Sequence, residues 1–117
     1  MSMKIDDVIQ TSLLYDFYGS LLTDRQREVM ELYYGENLSL SEIAAEFSIS
    51  RQGVHDLVKR CDKILSGYEE KLKLVEKFNQ TKKMVEEIKE LAGQYKKDGD
   101  RSLIDRIEAI SEEIGKL

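Results

Sequence analysis

The sequence predicts an all-α protein: a helix-turn-helix bundle followed by a long helical C-terminal hairpin. Three observations carry that prediction. Apolar residues recur at spacings of three and four from one end of the chain to the other, the period of helices that bury one face. Proline is absent and 35% of the residues are charged against 41% hydrophobic, a balance suited to long helices with charged outer faces. The stretch 40–60, LSEIAAEFSISRQGVHDLVKR, reads as two helices joined by a three- or four-residue turn.

Taken in order, Ile5–Tyr18 forms the first helix, with Ile5, Val8, Ile9, Ser12, Leu13, Tyr15 and Phe17 around a broad apolar face and Gly19-Ser20 ending it. Thr23-Asp-Arg-Gln26 matches a capping box, in which hydroxyl and amide satisfy each other's backbone donors. The helix it opens buries Val29, Met30, Leu32 and Tyr33 and stops at Gly35 in a left-handed conformation. Ser39 or Ser41 caps the next helix, whose stripe is Ile43, Ala44 and Phe47. Ser48-Ile49-Ser50 makes the turn, with Ile49 plugging the corner and Ser50 capping the helix that follows. Ser48 occupies the turn position that most often favours Gly, so a less comfortable backbone is expected there.

That last helix carries Val54, Leu57 and Val58 on its inner stripe, and Cys61, one turn on, reads as a small core hydrophobe. Ser66-Gly67 is the expected kink or boundary, and Gly93 a second weak point. Lys97–Asp100 is a turn, and Ser102–Leu117 a final helix whose Leu103, Ile107, Ile110, Ile114 and Leu117 form a coiled-coil seam. The short turn sends it back antiparallel onto the preceding helix. The division expected is a helix-turn-helix domain over 1–67 and a hairpin over 68–117 that joins two copies.

Composition bounds the function. A chain of 117 residues suits one core. No run of 18 apolar residues exists, which argues against membrane insertion. The opening MSMKIDDVIQ carries acids where a secretory signal would be basic, and a single cysteine excludes an internal disulfide, so a reduced cytoplasmic setting is expected. No Gly-rich phosphate loop, paired carboxylate site or nucleophile with a base is present, and His55 has no metal-ligand spacing around it. Neither an enzyme nor a cofactor is expected.

The surface that could carry function is the outer face of the second helix of the motif: Ser50, Arg51, Gln52, His55, Asp56, Lys59 and Arg60. Arg pairs bidentately with guanine and Gln with adenine, while Lys59 and Arg60 could grip phosphate. Asp56 sits poorly beside phosphate but could accept from a cytosine amine. A solvated polar face is the plainer reading, and the agreement of turn, stripe and cap favours duplex DNA over it. The charge balance pulls the other way. The formal net charge is −5, and residues 1–60 hold 6 Lys+Arg against 10 Asp+Glu, without the basic footprint of most DNA-binding domains. The aromatic set Tyr15, Phe17, Tyr18, Tyr33 and Tyr34 reads as core more than as a base-stacking platform.

Leu22–Ser50, LTDRQREVMELYYGENLSLSEIAAEFSIS, resembles region 4 of bacterial sigma factors, the part that reads the −35 promoter element. A longer stretch resembles the YlxM family of small bacterial helix-turn-helix proteins. Its marks are LYDFY at Leu14–Tyr18, LLT at Leu21–Thr23, LYY at Leu32–Tyr34, SLSEIA at Ser39–Ala44 and SRQGV at Ser50–Val54. The resemblance implies a regulator connected with the signal recognition particle pathway, with a protein component or the RNA of that particle as alternative partners to DNA. It brings no catalytic residues.

Overall fold

The computed structural model describes residues 5–117, with side chains described from residue 8 onward. Six α-helices follow one another and no strand occurs among the described residues: α1 Ile5–Tyr18, α2 Asp24–Met30, α3 Leu40–Phe47, α4 Arg51–Leu72, α5 Leu74–Asp98 and α6 Ser102–Gly115. The chain divides into two compact units, the first ending at Lys73 and the second being Leu74–Leu117.

In the first unit α4 is the spine. Its inner stripe, Val54, Val58, Cys61 and Leu65, is buried at spacings of four, three and four. α1, α2 and α3 each pack on it and contribute Leu14, Tyr18, Val29, Met30, Ile43 and Ala44. Burial pushes the Cys61 thiol up, which leaves it a small apolar side chain, as the sequence suggested. The buried edge of α1 is Thr11, Leu14 and Tyr18, whereas Val8, Ile9 and Phe17 are exposed. The apolar face of α1 is broader than the edge it buries against α4; Ile5, also assigned to that face, lies outside the described side chains.

The expected capping box forms, and a second accompanies it. Gln26 N donates to Thr23 Oγ1 at 3.3 Å while Thr23 N donates to Gln26 Oε1 at 2.9 Å. Ser39 and Glu42 repeat the arrangement at 3.1 Å each way, which settles the cap of α3 on Ser39. The stop after α2 differs from expectation. The helix widens into a π-helical turn over Glu31–Gly35, closed by Glu36 N to Glu31 O and Leu38 N to Leu32 O, each at 2.9 Å. Asn37, not Gly35, takes the left-handed conformation, at φ 56°. The widened turn carries the chain past Gly35, and Asn tolerates this region better than most side chains do. Leu32 and Tyr33 are half-buried rather than buried.

α4 runs unbroken through Ser66-Gly67, and the break comes at Lys73, at φ 56°, with Lys73 N donating to Glu69 O at 2.8 Å. A helical Gly costs only about 1 kcal/mol. The residues around Gly67 are tied down more firmly than that. Leu65 is fully buried, Tyr68 stacks on Tyr18 with ring centroids 6.0 Å apart, and Tyr18 Oη donates to Glu69 Oε1 at 2.6 Å. Gly93 likewise leaves α5 unbroken as far as Asp98.

In the second unit α5 and α6 form the antiparallel hairpin. Gly99, at φ 65°, makes the turn, and Asp100 Oδ1 accepts from the Ser102 amide at 2.9 Å and its hydroxyl at 2.8 Å. Ile110 is the buried point of the α6 seam; Leu103, Ile107 and Ile114 are half-buried and Leu117 is exposed. Arg106 ties the two helices by donating to Glu87 at 3.0 Å.

Candidate nucleic-acid interface

The turn between α3 and α4 sets where the outer face of α4 begins. Ala44, 8% exposed, and fully buried Ile43 let α3 lie close against α4, where Val54 is fully buried. Ser48 is left-handed, at φ 55° and ψ 42°, and Ile49 N returns to Ala44 O at 3.1 Å. The discomfort foreseen at Ser48 is therefore present. Ser48→Gly is expected to stabilise the first unit by about 0.5–1 kcal/mol, since it relieves a Cβ clash at some cost in unfolded-state entropy. A denaturant midpoint unchanged or lowered in this variant would contradict that account.

Ser50 then caps α4: Gly53 N donates to Ser50 Oγ at 2.9 Å. A Cβ on Gly53 would sit 3.1 Å from that oxygen, so the small residue here makes room for the cap rather than for a neighbouring helix. No acid lies in the first turn of α4, and Ser50, Arg51 and Gln52 are all exposed. The positive end of the helix dipole is thus presented without a carboxylate in that turn to quench it.

The outer side chains fall into two stripes with different surroundings. Arg51, His55 and Lys59, four residues apart, border a groove. Leu40 and Gln52 line it with Arg51 and His55 at one end, and Tyr33, Tyr34, Val58 and Asp62 line it with His55 and Lys59 further along. Gln52, Asp56 and Arg60 make the second stripe, all exposed, with Gln52 also edging the groove. Within it Gln52 Nε2 donates to Asp56 Oδ1 at 2.9 Å, and His55 Nδ1 lies 3.6 Å from the same carboxylate oxygen. Sequence spacing placed all seven candidates on one helix; the structure puts Arg51, His55 and Lys59 along the groove, Gln52 at its edge, and Asp56 and Arg60 on the open face.

Three features of the first unit were not read from the sequence. The guanidinium of Arg25 lies 5.6 Å from the centre of the Phe47 ring, placing a cation beside the end of α3. Tyr33 and Tyr34 meet edge to face at 4.9 Å on the π-helical turn, which delivers both to the groove wall. Tyr34 Oη donates to Asp62, 3.2 and 3.4 Å from its two carboxylate oxygens, and so joins that turn to α4. None is a local pattern: the partners are separated by many residues or depend on a helix widening that period analysis does not register.

Tyr34 and Tyr15 make the first unit sensitive to alkali. Burial first, then the Asp62 charge, holds the Tyr34 phenol far above its ordinary range. Burial and the hydrogen bond to Glu31 push Tyr15 from 10.0 up to about 12. A phenol harder to ionise in the folded chain contributes stability that is complete below pH 10 and is lost as pH rises through its folded value. The denaturant midpoint is expected to fall between pH 10 and 12. A Tyr15→Phe, Tyr34→Phe double variant should lose less of its own neutral-pH stability over that window, and an equal loss in both chains would refute the assignment.

Residues 5–107 match the family described as "Putative helix-turn-helix protein, YlxM / p13 like". The chain belongs to that family. Among curated relatives, the UPF0122 protein YlxM of Bacillus subtilis (strain 168) is 42% identical over 109 residues, covering 92% of this chain and 99% of its own. The UPF0122 protein ABC2295 of Shouchella clausii is 43% identical over 107 residues, covering 91% and 98%. A UPF0122 protein of Desulforamulus reducens is 54% identical over 84 residues, 72% of each chain. The matched residues include α3, the turn at Ser48 and α4. Among the described residues no helix is long and apolar enough to cross a membrane, and no group of His, Cys, Asp and Glu gathers that would hold a metal.

Proposed function

We propose that this chain is a non-catalytic, cytoplasmic DNA-binding regulatory protein that reads duplex DNA with the first turns of α4. The observation that carries the reading is the Ser50-capped start of α4, exposed, free of acids in its first turn and bearing Arg51 and Gln52. A helix of this kind enters a major groove by its N-terminal residues, where Arg51 and Gln52 meet base edges. Lys59 and Arg60 lie further along and would hold phosphates, and the Ser50 backbone and hydroxyl mark the approach of the helix end to the sugar-phosphate chain. The test is enrichment from sheared genomic DNA at low salt, followed by sequencing. A recurring sequence in the bound fraction supports the reading, and a bound fraction with the composition of the input removes it.

The overall charge of −5 favours a second reading, a module that docks a protein component of the signal recognition particle; binding to the RNA of that particle is a third reading, which the same charge disfavours. A stable partner that co-purifies after nuclease treatment would favour the protein, and structured RNA outcompeting duplex DNA would favour the RNA.

The hairpin is read as the element that joins two copies. Val85, Tyr95, Ile104 and Leu117 are exposed at 37–53% on it, more apolar surface than one hairpin covers. Two-fold pairing would present two reading helices to two half-sites. Light scattering at micromolar concentration should return twice the 13.6 kDa chain mass, and the single-chain mass would exclude the pairing.

A further inference from the structure

Gln52 and Asp56 stand one turn apart on the exposed stripe of α4, the amide donating to the carboxylate at 2.9 Å. We propose that Asp56 is a positioning residue, one that holds the Gln52 amide in the orientation that reads an adenine edge and contacts no base itself. The inference rests on the DNA-binding reading and deepens it.

The argument is one of donors and acceptors. To read adenine, a glutamine accepts from the N6 amine through Oε1 and donates one N–H to N7. The amide carries two N–H donors and an oxygen with two lone pairs. Spending one N–H on Asp56 leaves the complement that adenine needs. A carboxylate only accepts, so it attracts the nitrogen end of the amide and repels the oxygen end. Asp56 therefore selects one of the two amide orientations and restrains a side chain that would otherwise lose much rotamer freedom on binding. A free glutamine could turn either end to a base and would discriminate less.

The placement of Asp56 has a second consequence. Its carboxylate lies 3.6 Å from His55 Nδ1, on a face that approaches phosphates. Positioning improves discrimination while the charge lowers affinity. The two effects separate on mutation, which distinguishes positioning from direct contact: a carboxylate accepting from a cytosine amine would lose affinity and cytosine preference together when removed.

Selection from a randomised duplex library, run with the wild-type chain, Gln52→Ala, Asp56→Ala, Asp56→Asn and the double alanine variant, tests this. The expected wild-type motif contains an adenine whose preference Gln52→Ala abolishes. Asp56→Ala should weaken that same preference roughly fivefold while binding of unrelated duplex stays level or rises by about twofold to fivefold. Asp56→Asn, which still offers an oxygen to the Gln52 amide, should keep most of the preference. The double variant should resemble Gln52→Ala alone. The inference is overturned if Asp56→Ala leaves the adenine preference intact, if it weakens a cytosine instead, if its effect persists undiminished without Gln52, or if Gln52→Ala changes no adenine position. A wild-type chain that selects no motif overturns the DNA-binding reading, and this inference with it. Because both side chains are exposed, unchanged helical content by circular dichroism should hold for every variant.

Discussion

Ile43→Ala is expected to lower the melting temperature of the first unit by roughly 10–25 °C, the largest effect of any single truncation near the reading helix. Ile43 is fully buried on α3, and fully buried Val54 lies on the facing stripe of α4. Truncating a buried isoleucine removes three carbons' worth of transfer free energy and leaves a void that close-packed neighbours only partly fill, about 2–5 kcal/mol together. Collapse at this site is restricted on both sides. The Ser39–Glu42 capping box holds the start of α3, and the left-handed Ser48 and the Ser50 cap hold the turn beyond it. The cost should therefore fall in the upper part of that range. Tyrosine near-ultraviolet dichroism follows the first unit selectively, since Tyr15, Tyr18, Tyr33, Tyr34 and Tyr68 lie in it and only Tyr95 lies beyond. A loss below about 1 kcal/mol would mean that the α3–α4 joint is looser than its burial indicates. DNA binding should weaken only as far as the folded fraction falls.

Arg51→Ala is expected to leave stability within about 0.5 kcal/mol and to lose about 1–3 kcal/mol of discrimination at one guanine, roughly fivefold to more than a hundredfold. Arg51 is exposed at the first position of α4, where its fork is not drawn into the Gln52–Asp56 pair. It lies along the groove with Leu40 and His55, at the end of α4 that a major groove would receive. Lys59→Ala provides the contrast. Its loss should weaken binding similarly on every sequence and reduce the slope of log affinity against log salt by about 1, the mark of a phosphate contact. Competition titrations with matched and single-mismatch duplexes at several salt concentrations separate the two. An Arg51→Ala chain that loses affinity uniformly, with the slope reduced, would reassign Arg51 to the phosphates.

Much of the fold was legible residue by residue. The Thr23–Gln26 capping box, the Ser50 cap and the strained Ser48 all rest on contacts within four residues, so sequence spacing nearly specifies them; at α3 it left the cap between Ser39 and Ser41. The buried stripe of α4 and the short turn at Gly99 are legible for the same reason: a helix period and a left-handed glycine are local facts. Ser66-Gly67 was misjudged because glycine's small helical cost is outweighed by Tyr18, which stacks on Tyr68 and bonds Glu69 from a helix some fifty residues earlier. Gly35 was misjudged because a π-helical turn shifts the left-handed residue to Asn37, and helix widening leaves no period of its own in the sequence.

The candidate interface divides along the same line. Composition and spacing by themselves established an all-α chain, a helix-turn-helix at 40–60 and the seven polar residues of its outer face, because each follows from the periodicity of one helix. Only the tertiary structure decided that Arg51, His55 and Lys59 border a groove walled by Tyr33 and Tyr34, with Gln52 at its edge, while Asp56 and Arg60 face outward. A helix period says which side chains point away from the core. What they meet there depends on the placement of a second element, and that is fixed by packing between residues far apart in the chain.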